Sequence, residues 1–255
     1  MPYASSEGVR LYYEVHGEGP AVVFVHGSGG HHAAWWQQVP RFARDHAVVT
    51  LDMRGFGNSD ALDEYDSREF PGDILAVLDD AGIDRAVMVG QSIGAAAALK
   101  VAVAHPERAA GVVLAHSLGG IADEELAALV KADRAEAEKL PVLDRLLTPC
   151  FREAEPERTF LFRQMGTFNH AKMADLRNLT AGGPTLEEVA ASGVPVLFLA
   201  GEHDAVLRPQ TVRRAHELLA GSHLDVVAGA PHSMYWEEPG KFNDALARFL
   251  AVVCR

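Results

Sequence analysis

The chain has 255 residues, 48% of them hydrophobic and 23% charged, which is enough apolar mass for one sizeable core carrying an insertion. A net charge of −12 opposes nucleic-acid phosphates and anionic membrane surfaces, so neither is expected as a partner. Two cysteines, Cys150 and Cys254, lie far apart without metal-type spacing, so reduced, buried thiols are expected rather than a disulfide framework or a zinc site.

Met1 to Arg10 is broken by Pro2, Glu7, Gly8 and Arg10 and lacks the apolar core of a secretory signal, and no stretch is long enough to span a bilayer; a cytoplasmic location is expected. Strand signals then run at Val9 to Val15 and Ala21 to Val25, followed by the glycine-rich turn His26 to Gly30. A helical stretch, Trp35 to Arg44, leads to a strand at Ala47 to Leu51, and Asp66-Ser67 opens a helix over Arg68 to Ala81. Next come a strand at Arg85 to Val89, a helix at Ile93 to Ala104 and a strand at Gly111 to Ala115. From Leu118 to Ser192 strand signals stop and charged helical stretches take over, such as Asp123 to Leu140 and Pro156 to Met165. Turn-forming Gly182-Gly183-Pro184 and Ser192-Gly193 return the chain to strands at Val194 to Ala200 and His223 to Val227, with helices at Gln210 to Leu219 and Gly240 to Val253. This alternation predicts an α/β fold with a mostly parallel sheet. Unbroken apolar runs such as Val22-Val23-Phe24-Val25 and Val196-Leu197-Phe198-Leu199 predict strands covered by helices on both faces. The core is assigned to residues 1–117 and 193–255, and a helical lid to 118–192.

Gly90-Gln91-Ser92-Ile93-Gly94 stands between a predicted strand and a predicted helix, the setting of a nucleophile elbow. A serine hydroxyl is a poor nucleophile at neutral pH, so Ser92 requires a base and an acid that orients the base. Asp204, just past the strand Val194 to Ala200, is the expected carboxylate, with Glu202 as a nearby competitor; His232, in the loop after the last strand, is the expected base. The chain order serine, aspartate, histidine is the one that accompanies this elbow. Negative charge growing on a substrate oxygen requires two amide donors: Ile93 N–H at the helix N-terminus, and Ser28 N–H from the glycine-rich turn, with Gly29 next to it.

His26-Gly27, Trp35, Asp52-Met53-Arg54-Gly55-Phe56-Gly57-Asn58-Ser59, the elbow, Gly201-Glu202-His203-Asp204 and Pro231-His232 together resemble the landmarks of α/β-hydrolase-fold serine hydrolases over essentially the whole chain. The branch that this chain is similar to contains small carboxylesterases, cofactor-free haloperoxidases, enol-lactonases and carbon–carbon bond hydrolases. The resemblance implies an eight-stranded sheet, a helical cap between the sixth and seventh strands, and no cofactor. It also implies that dehalogenase and epoxide-hydrolase chemistry, which runs through an aspartyl ester in related families, is disfavoured by serine at position 92. Gln91 and Ala95 depart from the histidine and glycine that many relatives carry there, and bear on the pocket floor rather than on a reacting group.

The Asp52 to Ser59 segment reads as a loop brace beneath the site. His31 and His32 are adjacent, point in divergent directions and lack an accompanying carboxylate pattern, so no metal is expected. Substrate contact is expected from Gly29, Trp35, His116, Met165, Phe168 and Met234, and the helical stripe Phe160, Phe162 and Met165 is expected to pack on the sheet. With few basic residues placed to hold an anionic substrate, the expected partner is a small or medium, mainly neutral ester or lactone. Carbon–carbon bond cleavage, perhydrolysis and slow-turnover ligand reception use the same triad and remain alternatives. A monomer or homodimer is expected.

Overall fold

The computed structural model describes residues 2–179 and 181–254; Met1, Thr180 and Arg255, which fall within the assigned core and lid, lie outside the described residues. Eight strands form the central sheet: β1 (Tyr3–Ser6), β2 (Val9–His16), β3 (Ala21–Val25), β4 (Ala47–Leu51), β5 (Ala86–Gln91), β6 (Ala109–Ala115), β7 (Val196–Gly201) and β8 (His223–Val227). Their spatial order is β1-β2-β4-β3-β5-β6-β7-β8. β1 and β2 pair antiparallel, as do β2 and β4, and every other pairing is parallel. β1 is too short and too polar to show in the sequence pattern.

The apolar runs split by parity, as side chains alternate across a pleated strand. Val23 and Val25 of β3 join Met88 of β5 and the helices Phe70–Asp80 and Ile93–Ala104 in one core layer. Val22 and Phe24 join Val87, Val89, Trp35 and the C-terminal helix Pro239–Val253 in the other. Both faces are therefore dry, and each fully buried aliphatic or aromatic side chain contributes on the order of 2 kcal/mol of transfer free energy. This two-sided covering is why β3 and β7 read as unbroken hydrophobic runs.

Between β6 and β7 the chain is helical, with helices at Glu124–Ala137, Val142–Leu146, Pro149–Ala154, Pro156–Met165 and Leu186–Ala191. The sequence pattern misses one feature there: Leu176–Arg177 forms a two-residue parallel pairing with Tyr65–Asp66. Two residues carry no period, and the partner is more than a hundred positions away. Ala171 N–H also donates to Gly55 O at 2.7 Å, tying this stretch to the loop that follows β4. The Phe160 stripe only partly meets its expectation, since Phe160 is 64% exposed, Phe162 half-buried and Met165 buried. The buried-thiol expectation is corrected as well: Cys150 is exposed and Cys254 half-buried. No helix among the described residues is long and apolar enough to cross a membrane.

Candidate active site

Ser92 sits between the last residue of β5 and the first of the helix Ile93–Ala104, with φ +52° and ψ −114°. A non-glycine residue in so sparsely populated a region costs of order 1–3 kcal/mol, a strain typical of functional turns. The flanking glycines make the turn sterically possible. A Cβ on Gly90 would lie 2.4 Å from Ala95 Cα, and one on Gly94 would lie 2.5 Å from Val25 O, so strand and helix pass where no side chain fits. Ser92 N–H donates to Ala115 O at 2.9 Å, anchoring the elbow to the end of β6. Ile93 follows in the first helical turn, where backbone N–H groups lack intrahelical acceptors.

β7 ends at Gly201, and two bonds zip the following loop to the end of β8 and the loop after it: Glu202 N–H to Val227 O and His203 N–H to Ala230 O, each 2.9 Å. Asp204 and His232, twenty-eight positions apart, are thereby brought together in the buried interior. Asp204 Oδ1 accepts the N–H groups of Val206 at 2.8 Å and Leu207 at 2.9 Å. His232 Nδ1 lies 3.0 Å from Asp204 Oδ1 and 2.9 Å from Oδ2. A second imidazole joins: His116 Nδ1 lies 3.0 Å from Asp204 Oδ2. Burial pushes the Asp204 carboxyl up, but the His232 charge and the bonds from His116 and His232 outweigh it and hold Asp204 well below the usual carboxylate range. An ionised carboxylate only accepts, so both facing Nδ1 atoms carry hydrogens. The competitor Glu202 is exposed, and its Oε2 accepts Gly229 N–H at 2.8 Å.

The loop after β3 closes against the elbow, since a Cβ on Gly27 would lie 2.0 Å from Gln91 Oε1 and 3.3 Å from Ser92 Cβ. Ser28 is half-buried there and Gly29 exposed. His26 braces the loop: its Nδ1 donates to Gly27 O at 2.8 Å, and its Nε2 accepts Met53 N–H at 3.1 Å. Burial pushes the His26 imidazole down to about 4, so it stays neutral. Asp52 braces from below, its oxygens taking His32 Nδ1, His32 N–H and Asn58 N–H. The sequence pattern places no carboxylate beside His31 and His32, yet the fold brings Asp52 there, with one potential ligand atom from each of the three within 4.8 Å. His116, Asp204 and His232 form a second such group. In both, the carboxylate is already engaged by imidazole and backbone donors.

Ser92 and His232 line one cavity of about 270 Å³. Of the six residues expected to touch substrate, His116 lines it as well. The others do not, and their assignment is corrected. Trp35, fully buried, packs on Phe24, Tyr235 and Phe242; Met165 and Met234 belong to the same core layer. Phe168 is 65% exposed with its ring edge-on to His31, and Gly29 lies outside the lining. Aromatic content cannot tell a core layer from a cavity wall. The wall instead comes from Leu118 and Ile121 after β6 and from Leu126, Ala127, Val130 and Arg134 of the helix Glu124–Ala137. Those last four positions recur at spacings of one, three and four, a helical stripe that the sequence displays but that reads equally as lid packing.

The sequence profile described as the alpha/beta hydrolase fold matches residues 20–239, and the chain belongs to that family. It is similar to epoxide hydrolase A of Mycobacterium tuberculosis, 28% identical over 306 aligned positions covering 96% of this chain and 95% of the relative. Among solved structures it is similar to the enol-lactonase of Burkholderia xenovorans, with a TM-score of 0.82 and 26% identity over 98% of this chain and 100% of that one. It is also similar to Est816, described as an N-acyl homoserine lactone degrading enzyme, with a TM-score of 0.79 and 27% identity over 97% of this chain and 100% of that one.

Proposed function

We propose that the protein is a serine hydrolase that cleaves a small to medium, mainly neutral carboxylic ester or lactone through an acyl-enzyme on Ser92. The observation that carries this reading is the presence, on one cavity, of a strained elbow serine and an imidazole whose other nitrogen is bound to an ionised, buried carboxylate. With Nδ1–H committed to Asp204, His232 keeps a free Nε2 lone pair with which to take the Ser92 proton. The alkoxide attacks the carbonyl, and Ile93 N–H and Ser28 N–H receive the oxyanion, each such donor contributing ~3 kcal/mol to the barrier reduction. His232 returns the proton to the departing alkoxide, and water repeats the cycle on the acyl-enzyme while Asp204 remains ionised.

Chemistry at Ser92 also weighs against epoxide turnover, despite the likeness to an epoxide hydrolase. An oxirane opened by a serine would leave an ether, with no carbonyl for water to attack. The likeness to two enzymes named for lactone substrates supports the lactone arm. A volume of about 270 Å³ lies just below the usual range for ligand pockets and favours small substrates. The wall carries one cation, Arg134, and one carboxylate, Asp123, which favours a substrate without large net charge.

The test is a panel of short-chain nitrophenyl esters and lactones, run with fluorophosphonate labelling on the wild type and Ser92→Ala. The wild type should hydrolyse members of the panel and be labelled; the variant should fold, escape labelling and lose at least about 10⁴-fold in rate. Labelling or hydrolysis that survives in Ser92→Ala overturns the reading.

A further inference from the structure

His116 takes part in no step of that mechanism, yet it is the second imidazole on the catalytic carboxylate. It stands directly after β6, where its N–H extends the sheet by donating to Leu199 O at 2.8 Å. Its backbone is left-handed, with φ +56°, a conformation that costs a non-glycine residue on the order of 1 kcal/mol. The side chain is fully buried, its ring centre is 5.4 Å from that of His232, and Nδ1 bonds Asp204 Oδ2. Its Nε2 is buried without a hydrogen-bond partner among the described residues. A protonated Nε2 there would bury an unsatisfied donor next to a second imidazole, and burial pushes the His116 ring down despite Asp204. His116 is therefore a neutral ring donating Nδ1–H to the same carboxylate that orients His232.

We infer that His116 is a positioning residue for the triad: by donating a second imidazole N–H to Asp204, it fixes the carboxylate and tempers how strongly that carboxylate stabilises protonated His232. A carboxylate that shares its charge with one more donor binds any single donor less strongly. Removing His116 leaves Asp204 a stronger partner for the imidazolium formed during proton transfer, so reaction at Ser92 reaches its full rate only at higher pH. The titratable groups around His232 are Asp204 and His116, with Asp123 and Arg134 on the cavity wall. Neither Asp123 nor Arg134 hydrogen-bonds the His116 or Asp204 side chain among the described residues. The inference rests on the serine-hydrolase reading for its kinetic consequence but not for its structural one.

Two measurements separate these. In ¹⁵N-labelled wild type, imidazole NMR should show ring Nδ1–H protons shifted far downfield by carboxylate bonding for both His116 and His232, in addition to that of His32 on Asp52, and Nε2 of His116 unprotonated. One such proton should vanish in His116→Asn and in His116→Leu. A wild-type His116 in the Nε2–H tautomer overturns the inference whatever the enzyme does, and this readout stands even if a variant fails to fold.

The second measurement is the rate of fluorophosphonate labelling of Ser92 against pH. His116→Leu should move the acid limb upward by about one pH unit, a tenfold loss of rate at a fixed pH on that limb. His116→Asn should restore the wild-type profile, because its Nδ2–H branches from the same carbon position as the lost Nδ1–H and asparagine tolerates the left-handed backbone. An unmoved acid limb in folded His116→Leu, with rates lowered equally at every pH, would mean a purely structural role and overturn the inference, as would a His116→Asn profile matching that of His116→Leu. A wild type that is not labelled at Ser92 while the His116 and His232 downfield protons are both present would instead count against the serine-hydrolase reading and against the kinetic half of the inference, leaving the His116–Asp204 bond standing.

Discussion

Two buried carboxylates, Asp52 and Asp204, each sit with a pair of histidines at strand ends, and they do different work. Asp52 divides its oxygens between one imidazole and two backbone N–H groups that belong to different loops, His32 and Asn58. It closes the chain on itself. Asp204 shares Oδ1 between two adjacent amides of its own turn and His232, and keeps Oδ2 for imidazoles alone. The His232 ring, held this way, lines the cavity with Ser92, whereas the His32 ring packs on Tyr12 and His31. The two aspartate–histidine pairs share their bonding and differ in what surrounds the imidazole: a cavity for His232, other rings for His32.

That contrast can be broken most sharply at Asp204 itself. Asp204→Asn, with folding checked by circular dichroism, should lower esterase turnover about 10⁴-fold, since the amide favours the wrong imidazole tautomer. Asp52→Asn should cost about 1–3 kcal/mol of stability in a urea melt while turnover falls by less than about tenfold. Equal catalytic losses in the two variants would erase the distinction drawn here.

Acid should probe the histidines directly. His26, His31 and His116 are all held below the ordinary imidazole value, by burial in each case. Below about pH 6.5 the unfolded chain binds protons that these folded rings refuse, so stability falls with pH over that window. His26, held at about 4, accounts for up to about 3 kcal/mol of that loss between pH 6.5 and 4. His32 works in the opposite sense: burial lowers it, but its bond to Asp52 prevails and raises it, so its contribution is full below the unfolded value and fades as pH rises through the folded one. Melting temperatures across pH 4 to 7 should therefore fall on acidification, and less steeply in His26→Asn. A flat profile would contradict the neutral state assigned to His26. The smallest effect is expected on the wall, where Val130→Phe should disfavour the longest ester of a graded series by about tenfold relative to the shortest, read from kcat/KM ratios.

Local sequence carried a good deal of this. Apolar runs marked β3, β5 and β7 because a strand covered on both faces leaves no polar position to interrupt it. Ser92, Asp204 and His232 stood out because each follows a strand end within a few residues, and glycines at 90 and 94 announce a turn with no room for side chains. What the tertiary structure alone decided is non-local. It brought His116 onto Asp204 across eighty-eight positions, set Asp52 beside His32, and paired Leu176–Arg177 with Tyr65–Asp66. It also sent Trp35, Met165 and Met234 into the core layer while lining the cavity from the helix Glu124–Ala137. A side chain's chemistry and its backbone setting are written in its neighbours along the chain; the surface it meets is chosen by packing between layers, which no window of sequence contains.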